Sequence, residues 1–274
     1  MLTPQKIGLI AGQGDLPVAL LQKWQSMGIT PVVVGLHGTT PDIILNGQIS
    51  AVYSIGQAGH ILDFFKSHGV QKIVMAGGLK RPNFWTILST LRTDKTGFQI
   101  ILKLLCRRMG DDSLLKIIRH EIEIRGLHVA GAHEFLPEIL CPVGVLGKIQ
   151  PTENDFQKIK DGFVKAKSHG AEDKGQSVVM GDSGQIAYET EFGTNALIKS
   201  CAGWNEAILI KTSKPQQDLS LDMPTIGIGT IDVAHASGFK GIAVEAGKTI
   251  ILDRDKVIEL CDSHGIFVVG IEGK

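Results

Sequence analysis

Apolar and polar positions alternate in a strand, helix, strand rhythm over the first part of the chain. Ile7-Gly8-Leu9-Ile10-Ala11 is a short apolar run that predicts a strand, closed by the corner Gly12-Gln13-Gly14. Leu16–Met27 predicts a helix, with Asp15 as N-cap and Pro17 in the first turn. Pro31–Gly35, built on Val32-Val33-Val34, predicts a second strand. Gly59–His68 carries apolar residues at 61, 62, 64 and 65, a helical spacing that Gly69 stops. Lys72–Ala76 predicts a third strand, ending at Gly77-Gly78. This order implies βαβ units and a parallel sheet. Helices are then predicted at Phe84–Leu91, Gly97–Met109 and Ser113–Arg125, before a returning strand at Leu127–Ala132.

Residues 133–151 hold three prolines and two glycines with no long periodic stretch, so a link between domains is placed there. The pattern restarts with a helix at Glu153–Ser168. Strands are predicted at 176–180, 185–189, 207–211, 241–244, 249–252 and 266–269, with helices at 194–202, 228–237 and 254–264. The expected fold is α/β in two lobes. A Rossmann-like parallel-sheet domain occupies 1–132, and a mixed-sheet α/β catalytic domain occupies 152–274.

Composition changes this picture only in part. The 28 Lys+Arg and 28 Asp+Glu balance, which argues against a partner such as nucleic acid held by a whole-chain positive field. Hydrophobic residues at 43% suffice for a sizeable core and exclude a disordered chain. Glycine supplies 33 of 274 residues, well above the roughly 7% of average proteins, while aromatics reach only 5%. That suits many strand-to-helix corners. The longest apolar run, Ile100–Cys106, is interrupted by Lys103, far short of the roughly 18 residues a bilayer span needs. The N-terminus lacks a secretion signal's pattern. Cys106, Cys141, Cys201 and Cys261 form no CxxC or zinc-type pair, so reduced, mostly buried thiols in a cytoplasmic protein are expected.

Several segments could carry chemistry. Gly12-Gln13-Gly14-Asp15 joins a strand to a helix, where backbone amides and the helix dipole can hold a phosphate; a tight corner without ligand is the equal alternative. It is neither a full GxGxxG, since Pro17 stands at the last glycine, nor a P-loop. Gly77, Lys80 and Arg81 follow the third strand, beyond whose carboxyl end ligands collect in open parallel sheets. Asp111 and Asp112, after Gly110, offer two carboxylates in one short turn to a cation such as magnesium, or a cap to the following helix.

Gly193-Thr194-Asn195 precedes an apolar helix, another place for an anion. The segment Gln217–Gly227 holds Asp218 and Asp222, with Pro224 giving the loop a defined course. Asp222 there could be a metal ligand, a base toward water, or a turn former. Asp253-Arg254-Asp255 has the DxD form, but helix capping accounts for it better. No GxSxG elbow supports a serine nucleophile. Around Phe84–Leu105, apolar positions alternate with Arg92, Lys95 and Lys103, a pattern for core helices or for a surface that meets lipid.

Taken in order, these segments resemble the LpxI type of UDP-2,3-diacylglucosamine pyrophosphatase of lipid A biosynthesis. The resemblance rests on Gly8–Pro17, Ala76-Gly77 with Arg81-Pro82, Gly110-Asp111-Asp112, Gly131–Glu134, Leu146-Gly147-Lys148, Glu191–Thr194, Asp222–Gly227 and Gly265–Gly270. It implies a two-domain enzyme that hydrolyses UDP-2,3-diacylglucosamine to lipid X (2,3-diacylglucosamine 1-phosphate) and UMP, with Mg2+ or another divalent cation. It also implies a cytoplasmic protein peripheral to the inner membrane, and it leaves room for a homo-oligomer. Asp222 falls on the family's catalytic acid and, with Asp111 and Asp112, on the expected metal ligands. Gly12, Gln13, Gly14, Asp15, Gly77, Lys80, Arg81, Lys148, Gly193, Thr194, Asn195 and Thr225 are the expected substrate contacts. Two positions depart from the family pattern: Gln13 stands where glycine is usual, and Asn195 where aspartate is. A non-catalytic nucleotide-sugar-binding regulator is the alternative, although it gives the acidic segments no work.

Overall fold

The computed structural model describes residues 6–78, 93–99 and 111–273, without the side chains of 111–114. The chain divides into two compact units, Met1–Leu136 and Pro137–Lys274.

In the first unit the β-branched and aliphatic runs become central strands: β1 (Lys6–Ala11), β2 (Val32–Leu36), β3 (Ile49–Tyr53), β4 (Val70–Ala76) and β5 (His128–Ala130). They form one sheet in the order β3-β2-β1-β4-β5, and every pair is parallel. The chain steps outward from β1 to β3 and then returns to place β4 on the other side of β1. That reversal is the topological switch of a doubly wound sheet, the position at which such sheets commonly bind ligands.

Helices α1 (Asp15–Ser26), α2 (Asp42–Leu45), α3 (Ala58–Ser67) and α4 (Asp111–Glu123) accompany this sheet. Phe65 and Ile61 of α3 and Ile122 of α4 bury against Val32, Val34 and Ile73. Trp24 of α1 is fully buried and meets Phe135 edge-on at 5.3 Å. Strand β3 was not anticipated: its residues are all exposed or half-buried, so it shows no fully buried apolar face. The expected helices at 84–91 and, beyond residue 99, at 97–109 lie outside the described residues.

The second unit has a six-stranded mixed sheet in the order β6-β13-β11-β9-β7-β8. Its strands are β6 (Gly144–Leu146), β7 (Ser177–Met180), β8 (Ile186–Tyr188), β9 (Ile208–Lys211), β11 (Gly241–Glu245) and β13 (Phe267–Ile271). Strands β9, β11 and β13 run parallel; β6, β7 and β8 are each antiparallel to a neighbour. A separate parallel pair joins β10 (Thr225–Ile226) to β12 (Ile250–Ile251).

Helices α5 (Glu153–Ala171), α6 (Thr194–Ser200), α7 (Ile228–Ala236) and α8 (Arg254–His264) complete the unit. Two apolar clusters form its core. Ile159 and Ala166 of α5 belong to one, and Ile198, Ile231 and Val257 of α6, α7 and α8 to the other. Helix α5 starts in a capping box: the Thr152 hydroxyl accepts from the Asp155 amide, and Asp155 accepts from the Thr152 amide at 2.8 Å.

Candidate active site

The glycine corners of the first unit meet each other. Gly12 N–H donates to the Ala76 carbonyl at 2.7 Å, while Gln13 and Gly78 exchange N–H···O bonds of 2.9 and 2.8 Å. The two corners thus form a short antiparallel bridge across the ends of β1 and β4. A Cβ on Gly12 would lie 2.5 Å from the Gly78 carbonyl oxygen, and one on Gly77 would lie 2.7 Å from the Gln13 carbonyl oxygen. Close approach of backbone to backbone therefore accounts for these glycines, and the amides of Gly12, Gln13 and Gly78 are already bonded.

Gly14, with φ of 102°, enters α1 with no side-chain cap, and Asp15 stands exposed in the first turn. Asp111 and Asp112 lie inside α4, not in a turn ahead of it, because the helix already includes both residues. Lys80 and Arg81 are outside the described residues.

In the second unit, three residues singled out from sequence, Thr194, Asp222 and Thr225, come together around one that was not: Lys211. This lysine ends β9 and is only 7% exposed. Its Nζ donates to Thr194 Oγ1 at 3.1 Å and to the Thr225 carbonyl at 3.0 Å. The Thr194 hydroxyl in turn donates to Glu189 Oε1 at 2.7 Å, and Glu189 Oε2 accepts from the Gln176 amide at 2.8 Å. Glu189 is itself buried. Burial drives the Lys211 pKa down, and the negative charges of Glu189 and Asp222 offset only part of that.

The Asp222 segment is fixed along its length. The amide and hydroxyl of Ser213 both donate to Glu245 Oε2 at 2.8 Å, and Lys167 donates to the Ser213 carbonyl at 2.8 Å. Lys214 pairs with Asp173 at 2.5 Å, and Gln216 donates to the Gly170 carbonyl at 2.9 Å. Asp218 then builds a turn: its side chain accepts from the Ser220 amide, and its carbonyl from the amides of Leu221 and Asp222. Asp218, not Asp222, is the turn former. The half-buried Asp222 carboxylate accepts from Gln217 Nε2 at 3.1 Å through Oδ2, its one side-chain hydrogen bond among the described residues. Beyond it Pro224 is buried, its carbonyl accepting from the Ile250 amide at 2.8 Å, which joins the loop to β12.

Other expected contacts fall differently. Helix α6 has seven residues, and the Gly193 amide at its start donates to the Thr190 carbonyl. Asn195 is exposed. Thr225 spends its hydroxyl proton on the Met223 carbonyl at 3.0 Å. Lys148 follows β6 at the end of the sheet where β13 begins, whereas Lys211 lies at the carboxyl end of β9. The registers of β6, β13, β11 and β9 put these at opposite ends of the sheet. The exposed Lys148 has its backbone amide held by Asp262 at 2.6 Å. Asp253 occupies the cap position of α8 in a left-handed conformation, yet makes no capping bond.

Lys211 and Glu189 escaped sequence reading because each simply closes a strand expected from the pattern, 207–211 and 185–189. The available signal was a lysine closing the run Ile208-Leu209-Ile210 at the carboxyl end of a parallel strand.

No group of three or more His, Cys, Asp or Glu side chains able to hold a metal gathers among the described residues. Among the described residues Asp222 nonetheless keeps Oδ1 free of hydrogen bonds. Magnesium at a phosphate substrate commonly takes one or two carboxylates, with phosphate oxygens and water completing its shell, so this carboxylate fits as one such ligand.

Comparison with known proteins gives concordant matches over both units. The family model for the LpxI N-terminal domain matches residues 6–139, and that for the LpxI C-terminal domain matches residues 142–269. The chain is 34% identical over 279 residues to the UDP-2,3-diacylglucosamine pyrophosphatase LpxI of Caulobacter vibrioides, covering 98% of both chains. Among solved structures, the biotin carboxylase subunit of pyruvate carboxylase is similar at 14% identity and a TM-score of 0.25. That match covers 68% of this chain and 38% of the other, and it carries no argument about function.

Proposed function

The chain belongs to the LpxI family, and from that premise we propose that it hydrolyses the pyrophosphate of UDP-2,3-diacylglucosamine to lipid X and UMP. The observation that carries the reading is Asp222. It is a half-buried carboxylate with one oxygen bonded to Gln217, on a loop fixed at both ends.

In the proposed reaction a water oxygen forms a bond to one phosphorus, and the bond from that phosphorus to the bridging oxygen breaks. The bridging oxygen leaves with the other phosphate, and the proton of the attacking water passes to Asp222 or onward to solvent. Asp222 orients the water through Oδ1 while Gln217 holds Oδ2. The hydroxyls of Thr194 and Thr225 already donate within the protein, so they can meet substrate only as acceptors. A divalent cation, when bound, would neutralise pyrophosphate charge and lower the pKa of a water. Asp222 would hold it, and Asp111 and Asp112 are proposed as further ligands on sequence grounds. The two acyl chains of this substrate favour work at a membrane surface. No described helix is long and apolar enough to cross one.

The test is incubation with UDP-2,3-diacylglucosamine and Mg2+, with and without chelator, scoring UMP and lipid X. Wild type is expected to form both, chelator to stop the reaction, and Asp222→Asn to lower turnover by about 10²–10⁴-fold, the range for a positioned acid or base. Tight binding without turnover under any divalent metal would instead support a nucleotide-sugar-binding regulator.

A further inference from the structure

We infer that Lys211 is a positioning residue for the proposed hydrolysis: its ammonium ties the start of α6 to the segment that carries Asp222, and so fixes the orientation of that carboxylate. The inference rests on the reading of Asp222 given above.

Stability alone does not explain a lysine at this position. It follows Ile208, Leu209 and Ile210 in β9 and lies between Val244 of β11 and Ser177 of β7, at 7% exposure. Taking an ammonium out of water is costly, and buried ion pairs can often be replaced by apolar residues without loss of stability. The cation is therefore better accounted for by what it connects.

Its two bonds go to segments far apart in the chain, Thr194 on one side and Thr225 on the other. The Thr194 acceptor is locked, because its proton is directed at Glu189, which leaves its lone pairs for Lys211. Glu189 is locked too, by the Gln176 amide. The second bond reaches the carbonyl three residues beyond Asp222, where β10 begins. Gln217 and the Asp218 turn hold Asp222 from the preceding side. On the following side Lys211 adds a side-chain hold at Thr225 to the backbone bond from the Ile250 amide to the Pro224 carbonyl. It also places a positive charge near the carboxylate, close enough for the two to interact electrostatically.

The experiment compares K211M, the charge-matched pair E189Q/K211M, T194V and T194S with D222N, measuring kcat, KM and thermal stability with UDP-2,3-diacylglucosamine. Misplacement of a reacting group by about 1 Å costs about 10²-fold. K211M and T194V are expected to lose about that much in kcat with KM within about threefold, and T194S, which keeps the hydroxyl, to recover at least about tenfold relative to T194V. E189Q/K211M removes the stranded acid, so it should regain stability but not kcat. In the D222N background, K211M should cost nothing further.

The inference is overturned if folded K211M or E189Q/K211M keeps kcat within about threefold of wild type, or if the D222N and K211M losses add in full. Should neither lysine variant fold, unchanged kcat in T194V overturns it. Full activity of D222N would instead sink the assignment of Asp222, a separate outcome.

Discussion

Gly77→Ala puts a number on the backbone contact that closes the first unit's corner. The residue has φ of 93°, a region that costs a residue with a side chain about 1–3 kcal/mol. The added Cβ would stand 2.7 Å from the Gln13 carbonyl oxygen, 2.9 Å from the Gly12 carbonyl carbon and 2.9 Å from Pro17 Cγ. Two of these are backbone atoms, so relief requires separating the corners, and overpacking of this kind costs about 1–3 kcal/mol more. A loss of about 4 kcal/mol is expected, against a total of about 5–15 kcal/mol for a domain.

Gly14→Ala is the control. It has φ of 102° but nothing within 4 Å of its added Cβ, so only the conformational cost of about 1–3 kcal/mol applies. Urea unfolding would be followed by tryptophan fluorescence in a Trp204→Phe background, leaving Trp24 and Trp85, both within the first unit. With a slope of about 2 kcal/mol/M, the midpoint should fall by about 2 M for Gly77→Ala and by about 0.5–1.5 M for Gly14→Ala. Equal shifts would refute the backbone-on-backbone account.

Three further outcomes follow from the second unit. Burial alone would raise the Asp155 pKa, but bonds from the Thr152 amide and hydroxyl and from Lys240 outweigh it and hold the carboxyl below its ordinary value. Its stabilisation is therefore complete above the unfolded pKa of about 3.9 and lost as pH falls through the lower folded value. Urea midpoints between pH 2 and 6 (roughly the carboxylate range) should fall less steeply on acidification for Asp155→Asn than for wild type, from a starting point about 2 kcal/mol lower at neutral pH. A parallel fall would contradict this.

Burial pushes the Cys141 and Cys261 thiols up to about 12. In a Cys106→Ser background the native protein should resist alkylation near neutral pH and react once denatured. Native labelling of either thiol at a free-thiol rate would contradict their burial. Phe192, beside the site and 78% exposed, should tolerate alanine within about 0.5 kcal/mol by thermal melt; a larger loss would mean that it packs against something.

The sequence pattern carried most of the fold because most elements have a face to bury. Val32-Val33-Val34 and Ile208-Leu209-Ile210 enter sheet interiors and read clearly as strands. Ile49–Tyr53 has no fully buried residue, β10 is two residues long, and β6 hides between prolines. The site was legible in its half-buried members and not in its fully buried ones. Asp222, Thr194 and Thr225 sit in a loop, at a helix start and at the head of a two-residue strand, where polar residues draw attention. Lys211 and Glu189 are defined by partners that only the folded sheet brings near. The opening glycines read ambiguously for a physical reason: a corner that approaches a phosphate and a corner that approaches another corner use the same residue.

The sheet order of the second unit also bears on how the protein is made. All five strands of the first sheet lie between Lys6 and Ala130, so that sheet can close before β6 has left the ribosome. The second cannot. Strand β13, synthesised after every other strand of its sheet, lies in the interior between β6 and β11. Until Phe267–Ile271 arrives, β11 presents an unpaired edge and β6 has no neighbour, the kind of open strand through which nascent chains aggregate. A premature stop just before Phe267 thus removes an interior strand, and with it the partner of β6 in that sheet, and not a dispensable tail.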